Sequence, residues 1–456
     1  MGGFKVIIAG GGLAGALLAN GLSNNGVDFM IYERDEADSK REGYQIRLGP
    51  GSQAGFRACL TNAHIDKVTS KLGQSSGSQA TAPSIYNTQF DEILDLALVP
   101  TYSKSAAINR VILRDILLEP IKKSKRIQYR KGFDRYEIVT QKDDMERVKV
   151  HFSDGSHDVC DVLVGADGAN SKINKQLGLN NLHLLDSHWA FLSKGSLPFD
   201  RMMKLPPKLR EGPILVLSKD IILYYALYLP EGEAASEYHQ AADTKKPLQY
   251  DEKAASFYWT LNVPVDTLPY KKASEIQNHR KVCLEAIKDW APEFHHMLSV
   301  EEDDPEKTDM LVTQLRASTQ PKANWRTRAQ RAGNDEGHPR VWVMGDAIHA
   351  MQPNRGQGGN QALADCADML PQLLHLNSLA SIGPAHPTFE EIKTACDKYE
   401  GAMISRAFLW VKKSGGVSFP RINLDGFLGI IVRLVATLVI PLLKLYYSLF
   451  AQKSEE

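Results

Sequence analysis

A glycine-rich turn near the N-terminus constrains the fold more than any other feature of this 456-residue sequence. Gly10, Gly12 and Gly15 follow a short apolar run at 4–9 and open a helical pattern that continues to about Asn25. The first glycine permits a tight turn, the second lets the backbone approach a pyrophosphate, and the third lets helix and strand pack closely. The segment therefore predicts the first βα unit of a parallel sheet, with phosphate at the helix N-terminus.

An acidic residue follows at the spacing that a dinucleotide site requires. The strand-like segment 29–32 ends at Glu33, about 20 residues beyond the glycine turn. Its carboxylate could accept hydrogen bonds from ribose hydroxyls, and it disfavours a 2′-phosphate, so we expect NADP to fit this site poorly. The alternative is a glycine-rich turn that only packs a helix on a sheet.

Two further turns of glycine and acid follow apolar strands later in the chain. The segment 162–170 (VLVGADGAN) contains Asp167 and Gly168, and the segment 341–365 (VWVMGDAIHAMQPNRGQGGNQALAD) contains Asp346 before a run of glycines that enters a helix. Because the carboxyl ends of parallel strands meet at one edge of a sheet, three such turns predict one long ligand. Asp167 as a plain turn residue and Asp346 as a helix cap are the alternatives.

Composition excludes several other classes of protein. A hydrophobic content of 43% is ample for a large core, which rules out a disordered or fibrous chain, and the net charge of zero argues against bulk binding of nucleic acid. The five cysteines form no CxxC pair and HExxH is absent, so neither a disulfide framework nor a metal site is indicated. Residues 1–5 show no secretory leader, so we expect a reducing, cytoplasmic location.

The three turns, in this order and at this spacing, resemble those of the class A flavoprotein monooxygenases of the para-hydroxybenzoate hydroxylase type. The resemblance covers about 4–402, and the segment 108–117 (INRVILRDIL) is also similar to a stretch of that family. It implies bound FAD, NADPH or NADH as a transient reductant, and O2. One departure concerns Asn174, which stands about where the family often carries an arginine beyond the Asp-Gly turn, and it bears on docking of NADPH.

The resemblance also implies the role of each cofactor-binding residue. The ADP half of FAD would be held by Gly10, Gly12, Gly15 and Glu33, with Arg34 beside the adenosine, and Arg110 would also reach the FAD. Asp167 and Gly168 would serve both FAD and the nicotinamide cofactor, and Asp346 would bind the ribityl–pyrophosphate region. The residues along the isoalloxazine ring would be Pro353, Gly356, Gln357 and Gly358. Arg114, one turn beyond Arg110, is an alternative for that arginine. His349 is interpreted as a packed helix residue rather than a base.

The family likeness implies a discontinuous α/β fold. The Rossmann-like FAD-binding domain would comprise 1–180 and 336–402, with an inserted β-sheet substrate domain at 181–335 and C-terminal helices at 403–456. The other predicted elements are helices at 108–119 and 273–290, a hairpin of 148–152 with 159–164, strands at 44–48, 214–217, 221–229, 256–263 and 341–344, and loops at 70–84 and 230–253.

The same likeness implies the reaction. In the family, NAD(P)H reduces FAD, the reduced flavin takes up O2 as a C4a-hydroperoxide, and the distal oxygen attacks an electron-rich carbon, giving hydroxylation of an aromatic ring or epoxidation of an alkene. We expect a role in secondary metabolism. The alternatives are a flavin-dependent reductase of an isoprenoid-like substrate and a non-catalytic, redox-sensing flavoprotein.

Aromatic residues of the β-rich insertion are the candidates for the substrate wall. They are Tyr224, Tyr225, Tyr228, Phe257 and Trp259, of which alternation lets only about half line a cavity, the rest being sheet core. A mostly apolar wall predicts a bulky, hydrophobic substrate. No catalytic acid or base is identified, but Arg47, Tyr224 and Tyr225 are catalytic candidates, with solvent exposure or structural pairing as the alternative for Arg47.

The last apolar segment, Phe427–Phe450, approaches membrane-spanning length. Arg433 and Lys444 interrupt it on one helical face, and Pro441 weakens the helix. Three alternatives stay open: a helix packed on the body or on a second copy, a helix lying on an anionic membrane, and a spanning helix. Association with a membrane through this helix is therefore an expectation alongside the cytoplasmic location.

Overall fold

The computed structural model describes residues 3–37, 39, 45–74, 80–140, 145–232, 250–300, 310–333, 335–382 and 387–450. Within them the strands are β1 (Lys5–Ala9), β2 (Asp28–Tyr32), β3 (Gln45–Leu48), β4 (Gly73–Gln74), β5 (Ala80–Thr81), β6 (Ser84–Tyr86), β7 (Glu92–Asp95), β8 (Ser105–Asn109), β9 (Ile127–Gln128), β10 (Phe133–Thr140), β11 (Glu146–Phe152), β12 (His157–Cys160), β13 (Val162–Gly165), β14 (Leu182–Leu184), β15 (His188–Ser196), β16 (Ile214–Ser218), β17 (Ile221–Pro230), β18 (Ser256–Pro264), β19 (Leu311–Thr313), β20 (Arg316–Ser318) and β21 (Val341–Val343). The helices are α1 (Leu13–Asn24), α2 (Pro50–Cys59), α3 (Asn62–Thr69), α4 (Arg110–Lys123), α5 (Lys172–Gln176), α6 (Phe199–Lys204), α7 (His279–Ala286), α8 (Pro292–Ser299), α9 (Trp325–Ala332), α10 (Asp346–His349), α11 (Gly358–Ile382), α12 (Phe389–Lys413) and α13 (Phe427–Phe450).

The chain divides into two compact units. Unit 1 comprises Met1–Thr69, Arg110–Leu184 and Arg316–Ser418, and unit 2 comprises Ser70–Asn109, Leu185–Leu315 and Phe419–Glu456. These limits differ from those drawn from the sequence, which placed 70–109 with the FAD-binding part and ended the insertion at 335. The reason is strand pairing over a long sequence separation, because β6 pairs in parallel with β16, and no local pattern reveals such a partner.

Unit 1 contains a five-stranded parallel sheet in the order β21-β13-β1-β2-β9. Its central strand β1 is apolar on both sides, as a strand covered on both faces must be, and Val6, Ile7 and Ile8 are fully buried. The carboxyl ends of β21, β13 and β1 lie side by side. The predicted α/β, Rossmann-like fold is therefore confirmed.

Close helix packing supports this sheet. In α2, a Cβ on Gly55 would lie 2.1 Å from the carbonyl oxygen of Leu363 in α11, so the two helices approach at a distance that only glycine allows. Helix α12 packs against α11, and its Tyr399 donates a hydrogen bond to the Val343 carbonyl at 2.8 Å. The strand end of β21 is thus held from the helical side.

Several predicted elements have different limits in the structure. The hairpin of β11 with β12 is present, but the predicted second strand at 159–164 is two strands, because β12 pairs with β11 whereas β13 enters the parallel sheet. The long helix at 273–290 is reduced to α7, whose start is capped by the side chain of Asn278. The predicted helix at 108–119 begins only at Arg110, after β8. In the predicted loop at 70–84 the structure has β4 and β5, and residues 75–79 lie outside the described residues. So do Tyr44 and most of the predicted loop at 230–253.

Unit 2 is built on a sheet in the order β19-β15-β18-β17-β16-β6-β7, with β4, β5 and β8 paired beside it. The pairs are antiparallel except for β16 with β6. One face carries Trp189, Tyr225, Phe257 and Trp259 into a buried apolar core. That core also contains side chains of α6, α7 and α8, such as Phe294.

Candidate functional site

The glycine turn after β1 lies against the turn after β13. Gly10 has a φ of 117°, and a Cβ added to it would lie 2.3 Å from the carbonyl oxygen of Ala166. A Cβ on Gly15 would lie 2.1 Å from the carbonyl oxygen of Gly10. Gly12, in contrast, has nothing within 4 Å of its Cβ position. Packing therefore requires the first and third glycines, whereas the second leaves open space at the start of α1, where phosphate can approach the helix N-terminus.

Glu33 stabilises the same turn through hydrogen bonds. Its buried carboxylate accepts the N–H of Gly11 at 2.8 Å and the N–H of Asp35 at 3.0 Å. Arg114 of α4 donates from Nε to the Gly11 carbonyl at 2.8 Å and lies 3.4 Å from Glu33 through Nη2. Arg114 is therefore the arginine of α4 that contacts the glycine turn, whereas the Arg110 side chain is exposed and its contact with FAD stays a prediction.

Asp167 has two separate functions in the second turn. Its Oδ2 accepts the N–H groups of Lys172 at 2.9 Å and Ile173 at 3.4 Å, which fixes the start of α5. Its Oδ1 is buried and has no hydrogen-bond partner among the described residues, and burial raises the pKa of this carboxyl. Gly168, with a φ of 79°, faces open space. Oδ2 thus holds the start of the helix, and Oδ1 can accept a hydrogen bond from a ligand.

Asp346 is an exposed carboxylate within a buried stretch. The residues on either side of it, 341–345 and 347–350, are buried, and the N-cap of α10 is Gly345, without a side-chain cap. No described residue donates a hydrogen bond to the Asp346 carboxylate, so the helix-cap alternative does not describe it. A Cβ on Gly358 would lie 3.9 Å from Asp346 Oδ1, which places this carboxylate beside the first turn of α11.

A buried ionic network lies beneath that turn. Asp365 of α11 accepts the N–H of Gly345 at 2.7 Å, and its carboxylate contacts His349 Nε2 and Arg406, each at 2.7 Å. Burial opposes the ionisation of both partners, but their mutual attraction lowers the pKa of Asp365 and raises that of His349. Arg406 also pairs with Asp368 at 2.8 Å. The sequence analysis missed this network, because the contact between His349 and Asp365 depends on how α10 packs against α11.

The loop before α11 is held by side-chain hydrogen bonds to the segment that follows α12, while several of its own residues are exposed. Gln352 donates to the carbonyls of Gly416 and Ser418 at 3.0 and 2.8 Å, and Asn354 donates to that of Ser414 at 3.0 Å. The predicted flavin-facing residues are Pro353 and Gly356, which are exposed, and Gln357 and Gly358, which are half-buried. Gly356 has a φ of 61° and faces open space. The first N–H groups of α11 have no partner within the helix, so they can stabilise a negative charge placed there.

These features fit an FAD. Gly12, Gly168 and Gly356, one from each turn, all face open space, and the buried Asp167 Oδ1 and the exposed Asp346 both offer acceptors to hydroxyl groups. A Cβ on Gly345 would lie 3.9 Å from Ala14 Cβ, so the first and third turns are neighbours. The residues of unit 1 could therefore hold the pyrophosphate, the ribityl hydroxyls and one edge of the ring.

The remaining candidates of unit 1 are placed as follows. Arg34 is half-exposed and lies 3.6 Å from Asp35. Arg47 is half-buried in β3, and its carbonyl accepts a hydrogen bond from Asn360 at 2.8 Å. Asn174 is buried and donates to the Ala347 carbonyl at 2.7 Å, so it supports α10. An arginine that reaches a nicotinamide cofactor does not fit at position 174, where the side chain points into the protein.

The strands of unit 2 separate the aromatic candidates by face. Tyr225, Phe257 and Trp259 lie in the core on the helical side. Tyr224 lies on the opposite face and is half-buried, with its ring 6.4 Å from that of Tyr258. Tyr228 shares that face but is fully buried and donates to the Lys71 carbonyl. Tyr224 and Tyr258 thus lie on the face of the sheet opposite the apolar core. Tyr258 was not among the residues predicted from the sequence to line the substrate site.

A parallel sheet whose strand-end turns offer these acceptors, with an open helix N-terminus beside them, is typical of a dinucleotide-binding protein. The chain belongs to the FAD binding domain family, whose model matches residues 3–202 and 285–378. The resemblance to the class A flavin monooxygenases and the prediction of FAD are thereby confirmed.

Curated relatives and solved structures agree with this assignment. The chain is 24% identical over 432 residues to the dual O-methyltransferase/FAD-dependent monooxygenase CTB3 of Cercospora beticola, covering 88% of this chain but only 44% of that protein. The chain thus spans less than half of that relative. It is 26% identical over 438 residues to the FAD-dependent monooxygenase thnD of Trichoderma harzianum, covering 90% of this chain and 91% of that protein.

Among solved structures, the fold is similar to that of Klebsiella pneumoniae HpxO complexed with FAD and uric acid, with a TM-score of 0.63 and 17% identity over 96% of this chain and 92% of that chain. It is also similar to that of Pseudomonas aeruginosa PqsL in complex with 2-aminobenzoylacetate, with a TM-score of 0.62 and 16% identity over 90% of this chain and 94% of that chain. At these identities the likeness concerns the fold alone.

Proposed function

We propose that this chain is an FAD-dependent monooxygenase that inserts one oxygen atom of O2 into a bulky, hydrophobic aromatic or olefinic small molecule. The outcome is hydroxylation or epoxidation, and the setting is secondary metabolism. The second oxygen atom leaves as water, with NADPH or NADH supplying the two electrons. The convergence of three open glycine turns on the acceptors of Asp167 and Asp346 supports the cofactor, and the names of the relatives support the reaction.

Bound FAD supplies the redox chemistry, and the chain's own residues bind and orient it. Glu33 and Arg114 hold the glycine turn in shape for the ADP half, and Asp346 would accept hydrogen bonds from hydroxyl groups of the ribityl region. The N–H groups at the start of α11 would stabilise negative charge on the bound ring. The described residues around these turns include no cluster of His, Cys, Asp and Glu able to hold a metal, and this proposal requires none.

The face of the unit 2 sheet that carries Tyr224 and Tyr258 supports an apolar, aromatic substrate. In register, Tyr224 pairs with Leu215 and Thr260, and Tyr258 pairs with Lys194 and Ala226. The face therefore offers rings and aliphatic groups together with one hydroxyl and one cation. The rings and aliphatic groups of this face favour polycyclic phenols, indoles or prenylated rings as substrates, and Lys194 is the one cation among these neighbours.

The test is a substrate screen with the purified flavin-loaded chain. Oxidation of NADPH and NADH, release of hydrogen peroxide and the mass of the product are followed in isotopically labelled O2. We expect substrate-stimulated oxidation and one labelled oxygen in the product for a bulky aromatic or olefin. A reduced, unlabelled product would establish the reductase alternative instead, and the absence of any substrate stimulation would favour the non-catalytic one.

A further inference from the structure

The C-terminal helix α13 is apolar and exposed over most of its surface. It is the one helix of the described residues that is long and apolar enough to cross a membrane, and 6% of its most apolar window is buried. Leu434, Leu438 and Leu442, which follow one line along the helix, are exposed by 60%, 70% and 65%. Large apolar side chains in such a row are stable in water only if something covers them.

The exposed apolar surface is wide. With 3.6 residues per turn, the exposed apolar side chains from Ile430 through Leu438 to Phe450 cover an arc of about 200°. A second copy of the helix would cover a narrow seam of such a surface, because helix pairs meet along one stripe. A lipid surface covers the whole arc at once.

The rest of the helix surface consists of a half-buried apolar stripe and a line of exposed polar residues. Val432, Ala436, Ile440, Leu443 and Tyr447 form a stripe on the other side, and each is only half-buried. Between this stripe and the apolar arc lies a line of polar residues that contains Arg433 and Lys444, both exposed. The helix contains no acidic residue, so its polar line is purely cationic and is complementary to anionic headgroups.

The base of the helix is fixed to unit 2. Asp425 accepts the N–H of Thr88 at 2.7 Å and also contacts the hydroxyl of Ser218. The N–H of Leu424 donates to the Leu217 carbonyl at 3.0 Å, and a Cβ on Gly429 would lie 2.0 Å from the Leu424 carbonyl oxygen. The start of α13 therefore has a defined direction on the sheet.

We propose that α13 lies in the plane of a lipid bilayer with anionic headgroups, its apolar arc inserted and its cations at the level of the phosphates. The cationic line borders the apolar arc on one side, where the headgroups would lie, and the half-buried stripe borders it on the other. A spanning orientation would put the two cations, Arg433 and Lys444, into hydrocarbon.

Flotation of the full chain with vesicles tests this proposal. Phosphatidylcholine vesicles with and without phosphatidylserine are used, and the variant combines Leu434→Glu, Leu438→Glu and Leu442→Glu. A matched control carries the same change at three exposed leucines elsewhere, Leu98, Leu184 and Leu311, which are exposed by 44%, 44% and 47%. Melting temperature and circular dichroism show that both variants are folded.

We expect the chain and the control to float with the vesicles and the α13 variant to stay at the bottom. Replacing Arg433 and Lys444 with Gln should weaken binding to the anionic vesicles roughly tenfold or more, and hardly change binding to neutral ones. Unchanged flotation of the α13 variant would overturn the proposal. So would a chain that stays at the bottom as a defined soluble oligomer, which would assign the apolar arc to a second copy. Protection of the residues after α13 from protease by sealed vesicles would establish a spanning helix in place of the in-plane one.

Discussion

His349 Nε2 lies 2.7 Å from Asp365 Oδ2, with both side chains fully buried. The same carboxylate oxygen accepts the N–H of Gly345, the residue that precedes the exposed Asp346. The buried Asp365–His349 pair therefore contacts the turn that carries Asp346, the predicted acceptor for the ribityl hydroxyls. Substitutions in this network therefore test the structure of the turn at Asp346 without changing a residue that would contact the cofactor.

Replacing Asp365 with Asn should lower the free energy of unfolding by about 3–5 kcal/mol, because His349 and Arg406 lose the charge that compensates them. Denaturation of the flavin-free chain in urea measures the effect. Asp368→Asn is the matched control, since Asp368 also pairs with Arg406 but its side chain is 25% exposed, and we expect a loss below about 1 kcal/mol. Equal losses in the two variants would contradict this description of the network.

His349 should make stability depend on pH on the neutral to alkaline side. The pKa of His349 in the folded chain is raised, against burial, by Asp365, so its contribution is fully present below the unfolded pKa of about 6.5 and is lost as the pH rises through the folded value. The difference in unfolding free energy between the wild type and His349→Gln, about 1.5–3 kcal/mol at acidic pH, should thus shrink as the pH rises above the unfolded pKa. A difference that grows with pH would show that the imidazole is neutral in the fold.

The glycines of the first turn should separate folding from cofactor binding. Gly12→Ala places its Cβ in open space at a φ of −73°, so the fold should tolerate it, but the new methyl group occupies the approach of the phosphate. We expect an unchanged melting temperature and an affinity for FAD that falls roughly tenfold or more, measured by quenching of flavin fluorescence.

Gly15→Ala is the contrasting change at the same turn. Its Cβ would lie 2.1 Å from the Gly10 carbonyl oxygen, so helix and strand must separate. The flavin-free chain should lose about 1–3 kcal/mol of stability as well as FAD affinity. Identical behaviour of the two alanine variants would refute the assignment of the second glycine to the ligand and the third to packing.

The two neighbouring tyrosines of β17 should respond in opposite ways. Tyr225→Phe removes a buried hydroxyl without a partner among the described residues, so stability should be unchanged or slightly higher, with unchanged steady-state constants. Tyr224→Ala, on the other face, should raise KM for the hydrophobic substrate about tenfold with little change in melting temperature. A Tyr225→Phe variant with raised KM would move the substrate to the core side of the sheet.

The sequence predicted the parts of the site that depend on local geometry. The first βα unit, Glu33 and the turns at Asp167 and Asp346 all follow from the rule that a strand, a glycine turn and a helix form one unit. In the structure, Asp346 is exposed between buried neighbours, which fits the ligand role that the family resemblance implied.

Other features depend on contacts between distant segments. Arg114 and Arg110 lie on one helix, and only the three-dimensional course of α4 decides which of them meets Gly11. Alternation along β17 and β18 has a phase that the sequence leaves open, so Tyr225 and Tyr224 were equally good candidates. The transfer of residues 70–109 to unit 2 rests on the pairing of β6 with β16, and the His349–Asp365 contact rests on the packing of α10 against α11.

The most direct test of the account is a titration of the flavin-free chain with FAD, followed by the visible absorption and fluorescence of the flavin. We expect one FAD per chain, and an affinity that falls about tenfold or more in Asp346→Asn but not in Asp397→Asn, a surface carboxylate paired with Lys393. A chain that stays colourless in the presence of FAD, or an Asp346→Asn variant that binds it as tightly as the wild type, would contradict the convergence of the three turns on one flavin.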